Sequence, residues 1–458
     1  MIETNVEFLK KDLEETAAFF SARVDARHIF KEAEGKCVNT VIINGKAYAF
    51  GNVMPRSGTE TEKKRYIKRY ACLSLYKALV AFTGEKQAWG ALTGVRPTKP
   101  AYAEIEKTGD FKEFFTDVMK VSPEKTLLTA KVIEAQKSLY EKPAFGEDFF
   151  VFIPFCPSRC RYCSFITADV KTAAKHVDDY VNALVYEIKQ SAKLITRLRS
   201  VYVGGGTPVS LSDDNLEKIL CAIDEVKPFG TEYTVEAGRP DRITESNLAL
   251  LKKHGVTRVC VNPQTFNDET LVRIGRKHTA AEIIEKYELA KKDFIVNMDL
   301  IAGLDGETKE DFFKSVLKAI ELAPDNITIH TLSVKRGSYL AEEGKRLPKG
   351  DIEEMISFAE KRLEEAGYSP YYLYRQKYMA GNLENVGYAK KGTECLYNVD
   401  VMEETASVIA CGAGAISKRV AFNDDKIERL AAPKDVVTYV NKLSEILSSK
   451  QTLFGKND

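Results

Sequence analysis

From about residue 149 the chain alternates short apolar runs with longer amphipathic ones. The apolar runs are FFVFI at 149–153, SVYVG at 200–204, EYTVEAG at 232–238, TRVCVN at 257–262, FIVNMDLIAG at 294–303 and NITIHTLSV at 326–334. Among the stretches between them, DDYVNALVYEIKQSAKLI, SDDNLEKILCAIDEV and TKEDFFKSVLKAIEL carry apolar residues at helical spacing. Strand alternating with helix predicts an α/β fold with a parallel sheet faced by helices. Six such units suit a partial or complete (β/α) barrel, where chemistry gathers at the C-terminal ends of the strands. A doubly wound sheet uses the same alternation, and the pattern alone does not separate the two. Conspicuous polar and glycine residues do fall at these ends: three cysteines, Gly204-Gly205-Gly206, Glu236, Gln264, Asp299 and His330.

Residues 1–145 read as a separate α+β domain. CVNTVIINGKAYAFG is two β-prone runs joined by Asn44-Gly45, a hairpin signal because both residues tolerate positive φ. Ile67, Ala71, Leu75, Leu79 and Phe82 then mark a helix over 61–82, with Gly84 as its stop. The barrel is expected over 146–345. A mixed C-terminal extension, 346–458, opens on GDIEEMISFAEKRLEEAG and continues into a tyrosine-rich, polar segment.

Charge and composition narrow the classes. The 458 residues carry 67 basic against 66 acidic side chains, so nothing points to nucleic acid or an anionic membrane surface. The N-terminus lacks the pattern of a signal peptide, and no apolar run approaches the roughly 20 residues of a membrane span. A cytoplasmic location is expected. Thiols stay reduced there, so nine cysteines do not suggest a disulfide framework, and clustered ones point to metal or redox chemistry.

Three of them, Cys156, Cys160 and Cys163, sit within VFIPFCPSRCRYCSF. A closed structural zinc site needs four ligands, and no fourth Cys or His follows within a dozen residues. Three thiolates on a cubane iron–sulfur cluster leave one iron open to a substrate or cofactor. The alternative is a zinc knuckle completed by a remote residue such as His176. The remaining cysteines, 37, 72, 221, 260, 395 and 411, read as small core residues.

The C-x3-C-x2-C spacing, with Tyr162 before the third cysteine, resembles the signature of the radical S-adenosylmethionine enzymes. That resemblance implies a partial (β/α)6 radical SAM barrel, a 4Fe–4S cluster on Cys156, Cys160 and Cys163, and S-adenosylmethionine on the open iron. GGGTP at 204–208 looks like the family's glycine-rich segment, placing Gly205, Gly206 and Thr207 against the cofactor; a Cβ there would obstruct the backbone's approach. Glu236 would accept hydrogen bonds from the cofactor, since a carboxylate on an inner strand is costly to bury unpaired.

Within that superfamily, NPQTFNDETLVRIGRKHT at 262–279 and NMDLIAGL at 297–304 resemble segments of the oxygen-independent coproporphyrinogen III dehydrogenases. The match would add Gln264, Arg276, Asp299 and Ile301 to the cofactor site, Arg276 pairing with the methionine carboxylate and Asp299 with the ribose. LTGVRPTKP and YYLYRQKYMAGNLENVGYA narrow the likeness to the longer branch found in anaerobic Gram-positive bacteria. Phe150 stands where members usually show Tyr in a Tyr-x-His-Ile-Pro-Phe run, and is expected beside the cofactor. Phe165 occupies the place of a fourth cysteine and resembles the haem-chaperone-like branch at that spot. The resemblance implies a tetrapyrrole substrate and a reduced flavodoxin or ferredoxin as electron donor. It implies a decarboxylating enzyme of porphyrin biosynthesis, with a haem-trafficking chaperone and a haem-opening radical methyltransferase as alternatives. Arg96, Lys99, Arg375 and Lys377 lie in loop-like segments and could meet a substrate's propionates.

Overall fold

The computed structural model describes residues 2–455 except 23, 34, 55–58, 142–145, 165–167, 171–172, 229, 336, 345–350, 377–378 and 422–426. Phe165, Lys377 and Tyr378 therefore lie outside the described residues. The chain divides into two compact units, Met1–Ala130 with Gly381–Leu383, and Lys131–Ala380 with Glu384–Asp458.

The first unit carries a four-stranded sheet of β1 (Ile2–Thr4), β2 (Ala26–Ala33), β3 (Lys36–Ile43) and β4 (Lys46–Val53), in that order. The Asn44-Gly45 turn forms as expected, both residues at positive φ (47° and 79°), with Ile43 opposite Lys46. Helix Glu60–Thr83 starts on a capping box of Thr59 and Glu62 and stops at Gly84, φ 73°. Lys99 lies on helix Thr98–Thr108 rather than in a loop.

The second unit is built on an eleven-stranded sheet. Its middle is six parallel strands in chain order: β5 (Glu147–Ile153), β8 (Leu198–Gly205), β9 (Glu232–Gly238), β10 (Arg258–Val261), β11 (Ile295–Ala302) and β12 (Asn326–Thr331). Two short strands, β6 (Phe155–Cys156) and β7 (Ala168–Asp169), pair just beyond β5. This is the partial (β/α)6 barrel, and it does not close on itself. β12 pairs instead with antiparallel β14 (Asn385–Ala389), which is flanked by β13 (Ser369–Tyr374), while β5 pairs with parallel β15 (Ser407–Cys411). Beyond β15 come β16 (Ile416–Val420) and β17 (Ile427–Ala431).

Strand pleating sorts the side chains. Phe149, Val151, Ile153, Val201, Val203, Tyr233, Val235, Val259, Val296 and Met298 form one apolar cluster with Leu184, Ile188, Leu216 and Leu220 of the covering helices. Each such buried residue contributes roughly 1.5–3 kcal/mol. The opposite face alternates in polar and aromatic residues, with Arg258 donating to Asn297 Oδ1 at 2.9 Å and Tyr202 to Glu236 Oε1 at 2.6 Å. No helix among the described residues is long and apolar enough to cross a membrane.

The cysteines form no disulfide. Five of the six outside the cluster are buried as expected, but Cys221 is exposed on helix Asp213–Asp224.

Candidate cofactor site

The cysteine loop is pinned by backbone hydrogen bonds on both flanks. Val170 N–H donates to Cys156 O at 2.9 Å, Arg161 N–H to Ile274 O at 3.0 Å, and Leu340 N–H to Arg161 O at 3.2 Å. Cys163 N–H closes a turn onto Cys160 O at 3.1 Å. The three thiols line one open cleft.

The glycine segment forms the facing wall. Gly206 N–H donates to Ile153 O and Thr207 N–H to Phe155 O, both at 2.7 Å, so the end of β8 is tied to the exit of β5. A Cβ on Gly206 would sit 2.4 Å from Phe155 O, and Gly205 holds φ at +110°. Neither position admits a side chain. Thr207 Oγ1 lies 3.5 Å from Cys156 Sγ.

Glu236, on β9, also borders the cleft. Besides the Tyr202 hydroxyl it accepts Gly205 N–H, on Oε2 at 3.2 Å. Burial, with a contribution from the Asp299 charge, pushes its pKa up to about 7 against those two hydrogen bonds and the nearby His330. It is a carboxylate short of a cation. Arg276 is 7% exposed and donates to Asn262 O at 2.8 Å and Tyr162 Oη at 3.2 Å. Burial opposes its charge, but Tyr162 and Cys160 outweigh that and hold the guanidinium firmly protonated.

Eight of the twelve expected site residues thus line one cleft: Cys156, Cys160, Cys163, Gly205, Gly206, Thr207, Glu236 and Arg276. The other four lie elsewhere. Phe150 stacks on Tyr397 at 6.0 Å and sits beside Tyr202, one hydrogen bond from Glu236. Gln264, at φ 68°, joins β11 through backbone bonds to Asp299 O and from Ile301 N–H. Asp299 Oδ1 is 3.7 Å from His330 Nε2, and Ile301 packs among Leu271, Ile274 and Leu332. The cleft also holds Ser158, Arg159, Gly238, Arg239 and Asn262, which sequence reasoning missed. For Arg239 a signal existed, a basic residue directly after a barrel strand.

The donor set fits a three-thiolate cluster and its ligand. The glycines let β8 pack directly on β5 and leave the thiol-lined space free of side chains on that wall, and among the described residues the buried Arg276 Nε and Asn262 Oδ1 have no hydrogen-bond partner. Among the described residues no three His, Cys, Asp or Glu converge tightly enough to hold a single metal ion. His176, the alternative fourth ligand, lies on helix Ala174–Ser191, where it acts on Asp435.

Comparison with known proteins agrees. The model of the Radical SAM superfamily matches residues 150–319. The coproporphyrinogen III oxidase HemN of Escherichia coli, described as a radical SAM enzyme, shares the fold. Its TM-score is 0.54 at 21% identity, over 71% of this chain and 73% of that one. Fold and site define a radical SAM protein.

The relatives are more specific. The chain is 35% identical over 411 residues to the oxygen-independent coproporphyrinogen-III oxidase-like protein HemZ of Bacillus subtilis, covering 86% of this chain and 82% of that one. The heme chaperone HemW of the same organism is 31% identical over 278 residues, 58% of this chain and 69% of that one. The chain belongs to the family of oxygen-independent coproporphyrinogen-III oxidase-like radical SAM proteins.

Proposed function

We propose that the protein is an oxygen-independent coproporphyrinogen III dehydrogenase. It would convert two propionate side chains of coproporphyrinogen III to the vinyl groups of protoporphyrinogen IX, in porphyrin and haem biosynthesis. The observation that carries this reading is the 35% identity to the oxidase-like relative, which runs through 86% of the chain. Cys156, Cys160 and Cys163 would hold the cluster, the glycine wall and Glu236 the amino group of S-adenosylmethionine, and Arg276 its carboxylate. Gln264, Asp299, Ile301 and Phe150 would border the same cofactor. When bound, cluster and S-adenosylmethionine together supply a 5′-deoxyadenosyl radical. Each propionate would give up a hydrogen atom from its β-carbon to that radical and then lose CO2, with one electron passing to an external one-electron acceptor, leaving a vinyl group.

The chain's own task is orientation and exclusion of competing reactions. Residues 346–458 would contribute to the substrate side. Tyr372 Oη lies 3.2 Å from Thr328 Oγ1 and Tyr374 Oη 3.5 Å from His330 Nδ1, so β13 sets a tyrosine-rich edge against the polar interior of β12. A ferredoxin or flavodoxin would supply the electron.

A haem-trafficking chaperone is the second reading, favoured by Phe165 in place of a fourth cysteine and by the likeness to HemW. One anaerobic assay separates them. With S-adenosylmethionine, reductant and coproporphyrinogen III, the enzyme should release 5′-deoxyadenosine and CO2 together. Micromolar or tighter haem binding with no CO2, across several electron acceptors, would replace the dehydrogenase by the chaperone.

A further inference from the structure

A chain of hydrogen bonds ends on one of the three thiols. Arg239 follows β9 directly and is 4% exposed. Its Nε donates to Asp241 Oδ1 at 2.9 Å and its Nη2 to Oδ2 at 3.1 Å, a bidentate fork. Its Nη1 points the other way, 3.2 Å from Ser158 Oγ and 3.6 Å from Cys160 Sγ. Behind Asp241 stands His278, 3% exposed, with Nδ1 at 3.3 Å from Oδ1. An ionised carboxylate only accepts, so His278 presents an Nδ1–H. Burial works against a charge on Asp241, but His278 and Arg239 outweigh it and hold the carboxyl below its usual range. Two of the three guanidinium nitrogens are thus committed to Asp241, and the third is fixed toward sulfur.

We infer that Arg239 is a positioning residue that raises the reduction potential of the cluster through its Nη1–H to Cys160, and that Asp241 and His278 hold it there. This rests on the cysteines being cluster ligands and not on the proposed substrate. Reduction adds one electron from a low-potential donor of the ferredoxin or flavodoxin class. It makes and breaks no bond and moves no proton. The added negative charge is shared with the thiolates, so a nearby cationic donor favours the reduced form. Arg276 also acts on Cys160, so losing Arg239 alone shifts the potential without abolishing reduction.

The test compares parent, Arg239→Gln, Arg239→Lys and Asp241→Asn, each loaded anaerobically and assayed for iron and sulfide. Each is then titrated with dithionite, followed by absorbance and electron paramagnetic resonance, with neither S-adenosylmethionine nor substrate present. Arg239→Gln should lower the reduction equilibrium constant about tenfold, roughly 59 mV more negative for a one-electron couple. Asp241→Asn should shift it the same way by less, and Arg239→Lys should recover part of the loss by restoring the charge. Full iron content in Arg239→Gln with a potential matching the parent overturns the inference alone. Should Arg239→Gln hold no cluster, Asp241→Asn decides, since Asp241 is bonded to Arg239 and not to a thiol; an unshifted potential there overturns the inference. A parent that takes up neither iron nor sulfide overturns it together with the reading of the cysteines.

Discussion

Replacing Glu236 by Gln should stabilise the ligand-free protein at alkaline pH and weaken its grip on S-adenosylmethionine. The two effects have opposite signs and one cause. Glu236 titrates near 7 in the fold, pushed up first by burial and then by Asp299, against 4.5 as the ordinary value. At 1.36 kcal/mol per pH unit, keeping it ionised costs up to about 3 kcal/mol. Its slight exposure to the cleft makes that figure an upper bound. The folded state holds the proton more tightly than the unfolded one, so this contribution to stability falls between pH 4.5 and about 7, then levels off. Glutamine removes the slope. It also keeps both contacts, its carbonyl accepting Gly205 N–H and its amide donating to the Tyr202 oxygen.

Binding works the other way under the proposed assignment, in which the ligand's ammonium pairs with the carboxylate. Loss of a charge-assisted partner costs about 2–5 kcal/mol, roughly 30-fold to several thousand-fold in Kd. In the parent, affinity should fall about tenfold per pH unit below 7, where binding must displace a proton. Urea unfolding at pH 5 and pH 8, without ligand, measures the first effect. Calorimetric titration of S-adenosylmethionine into cluster-loaded protein at pH 8 measures the second. A Gln variant less stable than the parent at pH 8, or one that binds as tightly, would refute the assignment of Glu236 as a buried carboxylate awaiting a cation.

Anaerobic reconstitution should give about four irons and four sulfides per chain, and replacing Cys156, Cys160 or Cys163 by Ala should abolish them; stoichiometric zinc in the parent would contradict the cluster. Gly206→Ala sets a Cβ 2.4 Å from Phe155 O, so it should lower the thermal midpoint and weaken S-adenosylmethionine binding, and an unchanged midpoint would show that the glycine wall yields. Lys450 and Glu187 form a pair 2.8 Å apart, with side chains 2% and 0% exposed. Lys450→Met removes the cation from that buried carboxylate and, among the described residues, leaves it Gly412 N–H and the Tyr439 hydroxyl, so stability should drop by about 3–5 kcal/mol in urea, and a midpoint equal to the parent's would refute it.

The barrel and the cleft were legible in the sequence to different depths, and the difference follows sequence separation. The six parallel strands showed themselves because each is a local run with its helix beside it, and the cysteine loop because its three thiols lie within eight residues. SVIAC at 407–411 is an equally apolar run, yet its partner is 147–151, some 260 residues earlier, and no local period reports that pairing. Arg375 shows the same limit. Its segment has the composition of a loop, but the side chain is 4% exposed and burial pushes its pKa down to about 10. Arg239 shows its place after a strand in the letters, but its partners Cys160, 79 residues away, and His278, beyond Asp241, are not marked there. The inner face stands between these extremes. Glu236, Cys260, Asp299 and His330 all fall in the inward phase of their strands, and those positions were in the letters from the start. What the letters lacked was the register that aligns Val235 with Val259, Cys260 with Asn297 and Ile301 with His330. A shift of one residue on any strand would send its polar groups among the helices. Chemistry that lies along one strand can be read from sequence, whereas chemistry that lies across strands has to wait for the sheet.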